Sequence, residues 1–535
     1  MLPPSSFATS LHSLTSLLDR CKSMSQLKQI QAQVTVLGLS DDTFLVSKLL
    51  FFTAISDSGD IDYAFTLFKT TPLTTFLYNT IIRGFSRTKT PNRSITLYAE
   101  MLRSELSPDH LTFPFLLKAC ARLSSLRLGL SVHCHVAKHG IGLDRFVQNS
   151  LIHMYASCDD IVCARKVFED IPLPNSVSWN AMIDGLAKCG DLAAARDLFD
   201  RMPDRDVVSW SAIIDGYVKG GDYREALALF EAMKASSSGP KPNAVTMVSV
   251  LCASTHLGAL DKGREIHKYL KDNGLSLSLP MATSLVDMYA KCGSIAEAIR
   301  VFRSVPASKT DVLIWNAVIG GLAMHGLCKE SLTMFREMES LGIEPDEITY
   351  LGLLSACAHG GLVDDAWNFF RSLERKGLAL HIEHYACMVD VLGRSGRVLE
   401  AFEFVRMMPV EPSGSVLGAL LSGCRTHGWV RPGEIVGRRL IELEPEHDGR
   451  YVGLSNVYAV ARQWDEARTM RQVMERRGVR KAPGFSEVEV DGTLHRFIAH
   501  DKTHLQSVDI YLVLGMMQNQ MKVETDMNSQ EICFL

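Results

Sequence analysis

One pattern recurs along most of this chain and limits its fold more than any other feature. An Ala or Ser is followed three residues later by an apolar residue, and four residues later by an apolar or aromatic one. It stands at Ala64-Leu67-Phe68, Ser94-Leu97-Tyr98, Ala164-Val167-Phe168, Ala195-Leu198-Phe199 and Ala226-Leu229-Phe230. It returns at Ala298-Val301-Phe302, Ser331-Met334-Phe335, Ala366-Phe369-Phe370 and Ala401-Phe404-Val405. A variant with Gly first and His last occurs at Gly129-Val132-His133 and Gly263-Ile266-His267. Successive final members lie 30 to 37 residues apart. Spacing of three and four puts the triad on one helix face. Its small member lets a neighbouring helix come close, and the bulky pair fills the gap.

A second apolar helix precedes each triad, as in Trp179-Asn180-Ala181-Met182-Ile183. The turns between, such as Lys188-Cys189-Gly190-Asp191 and Lys291-Cys292-Gly293-Ser294, supply a Gly to end one helix and an Asp or Ser to cap the next. Pro then stops the second helix at Met202-Pro203 and Val305-Pro306. Each unit is a helical hairpin that cannot bury its apolar face alone, whereas a stack can. The expected fold is all-α: a right-handed α-solenoid of about twelve hairpins. The units are placed at 11–42, 43–74, 75–109, 110–144, 145–175, 176–206, 207–243, 244–278, 279–311, 312–346, 347–381 and 382–413. Insertions around Ser236-Ser237-Ser238 and Ala307-Ser308 blur two of them.

Composition narrows the function classes. With 47% hydrophobic and 22% charged residues among 535, the chain is not intrinsically disordered. A net charge of -4 excludes a polycation that binds nucleic acid by bulk charge, but not a binder with its basic residues on one face. No apolar run of about 18 residues suggests a membrane span. The 13 cysteines form no Cys-x-x-Cys, which points to reduced thiols rather than a disulfide framework or zinc ribbon. The start, MLPPSSFATSLHSLTSLL, has no acidic residue and five serines. It reads as an organelle transit peptide over 1–10, or as the start of the first helix through Leu14, Leu17 and Leu18.

The segments VSWNAMIDGLAKCG (177–190), LIWNAVIGGLAMHG (313–326) and FLYNTIIRGFSR (76–87) closely resemble the plant pentatricopeptide repeat family. Variable unit length separates them from tetratricopeptide repeats, which hold to about 34 residues. Short units with SLIHMYASC (150–158) and SLVDMYAKCG (284–293) alternate with long ones carrying FPFLLKACARLSSLRLG (113–129) and LLSACAHGGLVDDA (353–366), similar to the PLS subclass. Beyond the repeat array, 11–413, residues 414–482 resemble the E domain of that subclass and 483–523 its E-plus segment. Within the latter, Glu487 to Val490, Asp491-Gly492 and Thr493 to Ile498 read as a β-hairpin. Glu487 stands where family members usually carry Trp. Residues 524–535 are expected to form a disordered tail.

The resemblance implies that one residue of each first helix lines a groove and reads a base edge, supported by the residue closing the unit. These pairs are Asn79 with Asp109, Asn149 with Asn175, Asn180 with Asp206, Ser211 with Asn243, Thr283 with Asp311, and Asn316 with Asp346. Asn with Asp implies U, Asn149/Asn175 a pyrimidine, Ser211/Asn243 A, and Thr283/Asp311 G. Pro114, Val248, Leu351 and Ala386 offer no edge-reading group in four further units. The implied single-stranded target is 5′-U-n-Y-U-A-n-G-U-n-n. An alternative reading makes these Asn residues mere caps or bridges between helices.

The subclass often ends in a zinc deaminase-like domain with His-x-Glu and Pro-Cys-x-x-Cys. Here the one His-x-Glu is His381-Ile382-Glu383, without the second motif, so His381 reads as structural and the chain as no enzyme. No catalytic residue, metal ligand or cofactor is expected. The resemblance implies a monomeric site-recognition factor for C-to-U editing of organellar RNA. It would recruit a deaminase-bearing (DYW-type) pentatricopeptide repeat protein and editing accessory factors in trans, in the mitochondrion or alternatively the chloroplast. Competing readings are an RNA splicing, processing or stability factor, and a tetratricopeptide-like protein scaffold.

Overall fold

A computed structural model describes residues 13–532 except 72, 237, 238, 482, 491, 492, 499 and 500. The leader expected over 1–10, the Ser237-Ser238 part of one insertion and the Asp491-Gly492 turn lie outside the described residues. The chain divides into two compact units, Met1–Val250 and Leu251–Leu535.

The first unit is a stack of helical hairpins. They are 13–19 with Met24–Val36, Thr43–Ile55 with Ile61–Lys69, Thr75–Ser86 with Asn92–Arg103, and Thr112–Arg122 with Leu126–Lys138. Arg145–Ser157 with Ile161–Glu169, Ser176–Lys188 with Leu192–Arg201, and Val207–Lys219 with Tyr223–Ala235 continue the series. The turn chemistry is the expected one. Gly190 sits at φ +81° and Asp191 accepts from Ala194 N, so the break costs little and the second helix starts capped.

The second unit repeats the scheme. Its hairpins include Leu279–Lys291 with Ile295–Ser304, Val312–Met324 with Cys328–Ser340, Glu347–Gly360 with Val363–Arg375, and Ile382–Arg394 with Val398–Arg406. Two more follow, Gly414–Thr426 with Val430–Leu443 and Asp448–Val460 with Trp464–Arg476. An antiparallel β-hairpin, Phe485–Val490 with Thr493–Ile498, comes next. There Glu487 pairs across the strands with Arg496, whose Nε lies 2.9 Å from its carboxylate. A last helix, Ser507–Ile532, runs through most of the segment expected to be a disordered tail. After Gly515 the sequence offers no Gly or Pro to break it.

The triads are core in both units. Ala64, Ala164, Ala195, Ala226, Ala298 and Ala401 are at most 1% exposed. Where Ser replaces Ala its hydroxyl is satisfied: Ser94 Oγ donates to Ile82 O at 3.0 Å and Ser331 Oγ to Ile319 O at 3.2 Å. The Gly-His variant also has a cause. A Cβ on Gly129 would lie 2.2 Å from Met154 Sδ, and one on Gly263 2.4 Å from Met288 Sδ. The variant's histidine then meets the residue after that methionine, His133 Nδ1 with Tyr155 OH at 2.6 Å and His267 Nδ1 with Tyr289 OH at 2.8 Å. Burial lowers the pKa of both histidines, so they are neutral at pH 7. Burial likewise pushes the thiols of Cys120, Cys357 and Cys387 up to about 12, which suits packing rather than reactivity.

First helices approach one another closely. A Cβ on Gly185 would fall 2.6 Å from Ala156 Cβ, on Gly216 2.6 Å from Ala187 Cβ, and on Gly321 2.5 Å from Ala290 Cβ. Second helices hold the next first helix by edge-to-face rings. Phe168 meets Trp179 at 5.1 Å, Phe199 meets Trp210 at 4.8 Å, and Phe302 meets Trp315 at 4.7 Å between centroids. Each Trp immediately precedes an expected base-reading residue, so the core fixes where that residue stands.

Candidate nucleic-acid interface

The closing residue of a unit does local work first. Asn175, Asp206, Asp311 and Asp346 are N-caps of the following first helix, each accepting from the backbone N–H three residues on. Asn243 and Asp109 accept from Thr246 N and Thr112 N in the same way. The capping alternative is thus true of these residues, and capping leaves their side chains beside the preceding first helix.

Three expected pairs are joined directly. Asn79 Nδ2 donates to Asp109 Oδ1 at 2.9 Å, Asn180 Nδ2 to Asp206 Oδ1 at 3.2 Å, and Asn316 Nδ2 to Asp346 Oδ1 at 2.9 Å. Two pairs meet only through a hydroxyl the sequence reading did not single out. Ser178 Oγ reaches Asn149 Oδ1 at 2.7 Å and Asn175 Oδ1 at 3.0 Å. Thr246 Oγ1 lies 2.7 Å from Ser211 Oγ and 3.1 Å from Asn243 Oδ1. The sixth pair is not brought together: Thr283 Oγ1 donates to Leu279 O at 3.0 Å in its own helix. No hydrogen bond links it to Asp311 among the described residues. Ile314 stands where the other units place the hydroxyl.

That hydroxyl is present even where the pair bonds directly. Thr112 Oγ1 donates to Asn79 Oδ1 at 2.7 Å, and Thr349 Oγ1 to Asn316 Oδ1 at 2.6 Å. The sequence signal is Asp or Asn followed three residues later by Ser or Thr, which looks like ordinary capping and hides a second role. The amides of Asn79 and Asn316 each keep one N–H and one lone pair. Asn79, 6% exposed, is more enclosed than the half-buried Asn149, Asn180 and Asn316. The Asn180 amide oxygen is buried with no partner, because Ser209 Oγ bonds Asp206 instead. Burial pushes the Asp206 carboxyl up, but hydrogen bonds from Ser209 and Asn180 bring it below its ordinary value.

Three residues before eight of the ten inward positions an exposed apolar side chain stands at the start of the first helix, whereas Pro280 and Glu383 precede Thr283 and Ala386. Phe76, Leu111, Phe146, Val177, Val208, Val245, Leu313 and Ile348 are 41% to 59% exposed, unusual for regularly placed apolar groups. This row was also missed, although a regular spacing announces it in most units. Around Asn149 these features form a cleft of about 580 Å³, walled by Phe146 and Val177 and lined by Arg83, Arg87, Lys118 and His153. Arg83, Lys118 and His153 each lie four residues beyond a reading position. Later units place acids there, paired with the next basic residue: Asp184–Lys188 and Asp215–Lys219 at 2.6 Å, Asp287–Lys291 at 3.0 Å. The cleft therefore carries positive charge without such pairing along its own helices, and among the described residues Arg87 alone lies near an acid, 3.9 Å from the exposed Asp57. His381, read as structural, occupies the N-cap of Ile382–Arg394.

Comparison with known proteins agrees with this geometry. Residues 73–122, 174–207, 205–256 and 310–359 match the profile described as PPR repeat family. Residues 281–308, 348–378 and 383–411 match PPR repeat, and 428–489 match E motif. The chain is 58% identical over 526 residues to pentatricopeptide repeat-containing protein At5g08305 of Arabidopsis thaliana, covering 98% of each. It is 37% identical to the Arabidopsis thaliana relative At2g22410, mitochondrial, over 93% of this chain and 88% of that one. It is 41% identical to At2g42920, chloroplastic, of the same plant, over 96% and 92%. With its stacked hairpins, paired polar residues and matched E motif, the chain belongs to the pentatricopeptide repeat family.

Proposed function

We propose that the chain binds single-stranded organellar RNA one nucleotide per hairpin and selects sites for C-to-U editing. The cleft at Asn149 carries this reading. It sets an edge-bonding amide between two apolar walls that suit the faces of a base, with cations near enough for phosphates. A protein-binding scaffold has no need of an amide set between apolar walls beside cations. The E motif at 428–489 favours editing over other RNA work, and its segment recruits a deaminase-bearing partner in trans. The mitochondrion is the proposed compartment, with the chloroplast as alternative, since relatives carry either designation.

Two measurements test this. Gel shifts should favour 5′-U-n-Y-U-A-n-G-U-n-n over a scrambled RNA of equal composition; equal affinity removes the base-reading function. Organelle cDNA from a loss-of-function plant should retain C at one or a few sites just 3′ of that string. Altered transcript ends or retained introns with intact editing reassign the protein to RNA processing.

A further inference from the structure

We infer that the buried hydroxyl three residues after four of the six closing residues, on Thr112, Ser178, Thr246 and Thr349, is a specificity-positioning group. It orients the base-reading side chain of the preceding hairpin and so takes part in base choice. The inference rests on the RNA-reading function proposed above and deepens it.

Thr112, Ser178, Ser209, Thr246 and Thr349 are all 1% exposed or less, so none of them touches a ligand. A hydroxyl has a single proton to donate. In four units two acceptors compete for it, and the nearer one is the reading residue each time. Thr112 lies 2.7 Å from Asn79 against 3.0 Å from Asp109, and Ser178 2.7 Å from Asn149 against 3.0 Å from Asn175. Thr349 lies 2.6 Å from Asn316 against 3.0 Å from Asp346, and Thr246 2.7 Å from Ser211 against 3.1 Å from Asn243. Capping alone requires only the bond to the closing residue; the shorter bond back to the previous hairpin has no capping role. Ser211 gives its own proton to Val207 O at 2.7 Å, so Thr246 is the donor in that contact.

A proton delivered to Oδ1 fixes which end of the amide faces the next hairpin. The reading group then shows the groove a fixed pattern of donor and acceptor. Without it, a flipped amide exchanges the two at little steric cost. The dependence differs between units. Where the pair also bonds directly, as at Asn79/Asp109 and Asn316/Asp346, the hydroxyl is one of two constraints. At Asn149/Asn175 and Ser211/Asn243 it is the only hydrogen-bonded link between the two among the described residues.

The test uses the full chain and RNAs carrying the proposed string, varied to each base opposite one unit. Wild type should prefer A opposite Ser211 and a pyrimidine opposite Asn149. Thr246→Val keeps the backbone N–H that Asn243 caps, and should reduce the preference for A by about three- to tenfold. Thr246→Ser should restore it. Ser178→Ala should relax choice opposite Asn149 alone, and serves as the independent variant if Thr246→Val melts early. Thr349→Val should relax choice opposite Asn316 less than either. The inference is overturned if Thr246→Val and Ser178→Ala discriminate as wild type does, or if they weaken every RNA alike. A wild-type chain without base preference sinks the RNA-reading function itself, a result separate from both.

Discussion

At the scale of single residues, the ionisation of one carboxylate decides what an amide can show. Burial opposes charge on Asp206, and three hydrogen-bonded groups around it more than offset that effect. At neutral pH Asp206 is therefore an anion that only accepts, so Asn180 must turn its Nδ2 toward it. Neutral Asn243 beside Ser211 offers both a donor and an acceptor, and Ser211 carries a hydroxyl in place of an amide. The two neighbouring units thus differ in donor pattern while sharing backbone placement. Converting one pair into the other should convert the base. Asn180→Ser with Asp206→Asn should change the nucleotide preferred opposite that unit from U to A. The change should be worth about 1–3 kcal/mol of discrimination, read by competition between RNAs differing at that one position. An unchanged preference for U would show that the pair does not read the base.

At the scale of helices, the proposed base-reading residues are placed by packing contacts in the core. Gly321 packs against Ala290 so closely that one added methyl has nowhere to go, since its carbon would stand 2.5 Å from Ala290 Cβ. Gly321→Ala should destabilise the second unit by about 1–3 kcal/mol in urea unfolding, and adding Ala290→Gly should recover most of it. Additive losses in the double variant would place the strain elsewhere. The same elements show what the sequence could reveal. Ala64-Leu67-Phe68 and its kin obey a helical spacing and a fixed period together, so the hairpins and their starts are legible without coordinates. Gly129 and Gly263 are visible as exceptions, but their reason is Met154 and Met288 in the neighbouring hairpin, a packing relation that no local pattern encodes. Ser178 and Thr246 were hidden for the opposite reason, because capping explains Asn-x-x-Ser and Asn-x-x-Thr fully and leaves no residue of surprise. The final helix, Ser507–Ile532, continues through 524–532 of the segment whose polarity suggests a disordered tail, and residues other than Gly and Pro cost a helix little.

At the scale of the molecule, a chain of net charge -4 is proposed to hold a polyanion. Bulk attraction cannot supply the affinity, so a small set of local cations must, and the rest must come from uncharged contacts with bases. Arg83 shows how the cations are kept in place, with its guanidinium 5.4 Å from the Phe115 ring and 5.9 Å from that of Phe51. Arg87 is tied by Nη1 to Ile55 O at 3.0 Å. Lys118 completes the trio on the Asn149 cleft, where burial keeps His153 neutral and out of the count. For single strands each phosphate contact contributes about 0.7 to the slope of log affinity against log salt. Replacing Arg83, Arg87 and Lys118 by Gln should therefore flatten that slope by roughly 2 and weaken binding at low salt. The ratio of affinities for the proposed string and its scramble should stay nearly constant, because phosphates carry no sequence. A collapse of that ratio would mean that these cations act on bases, and a slope left unchanged would mean that the RNA backbone follows another path across the hairpins.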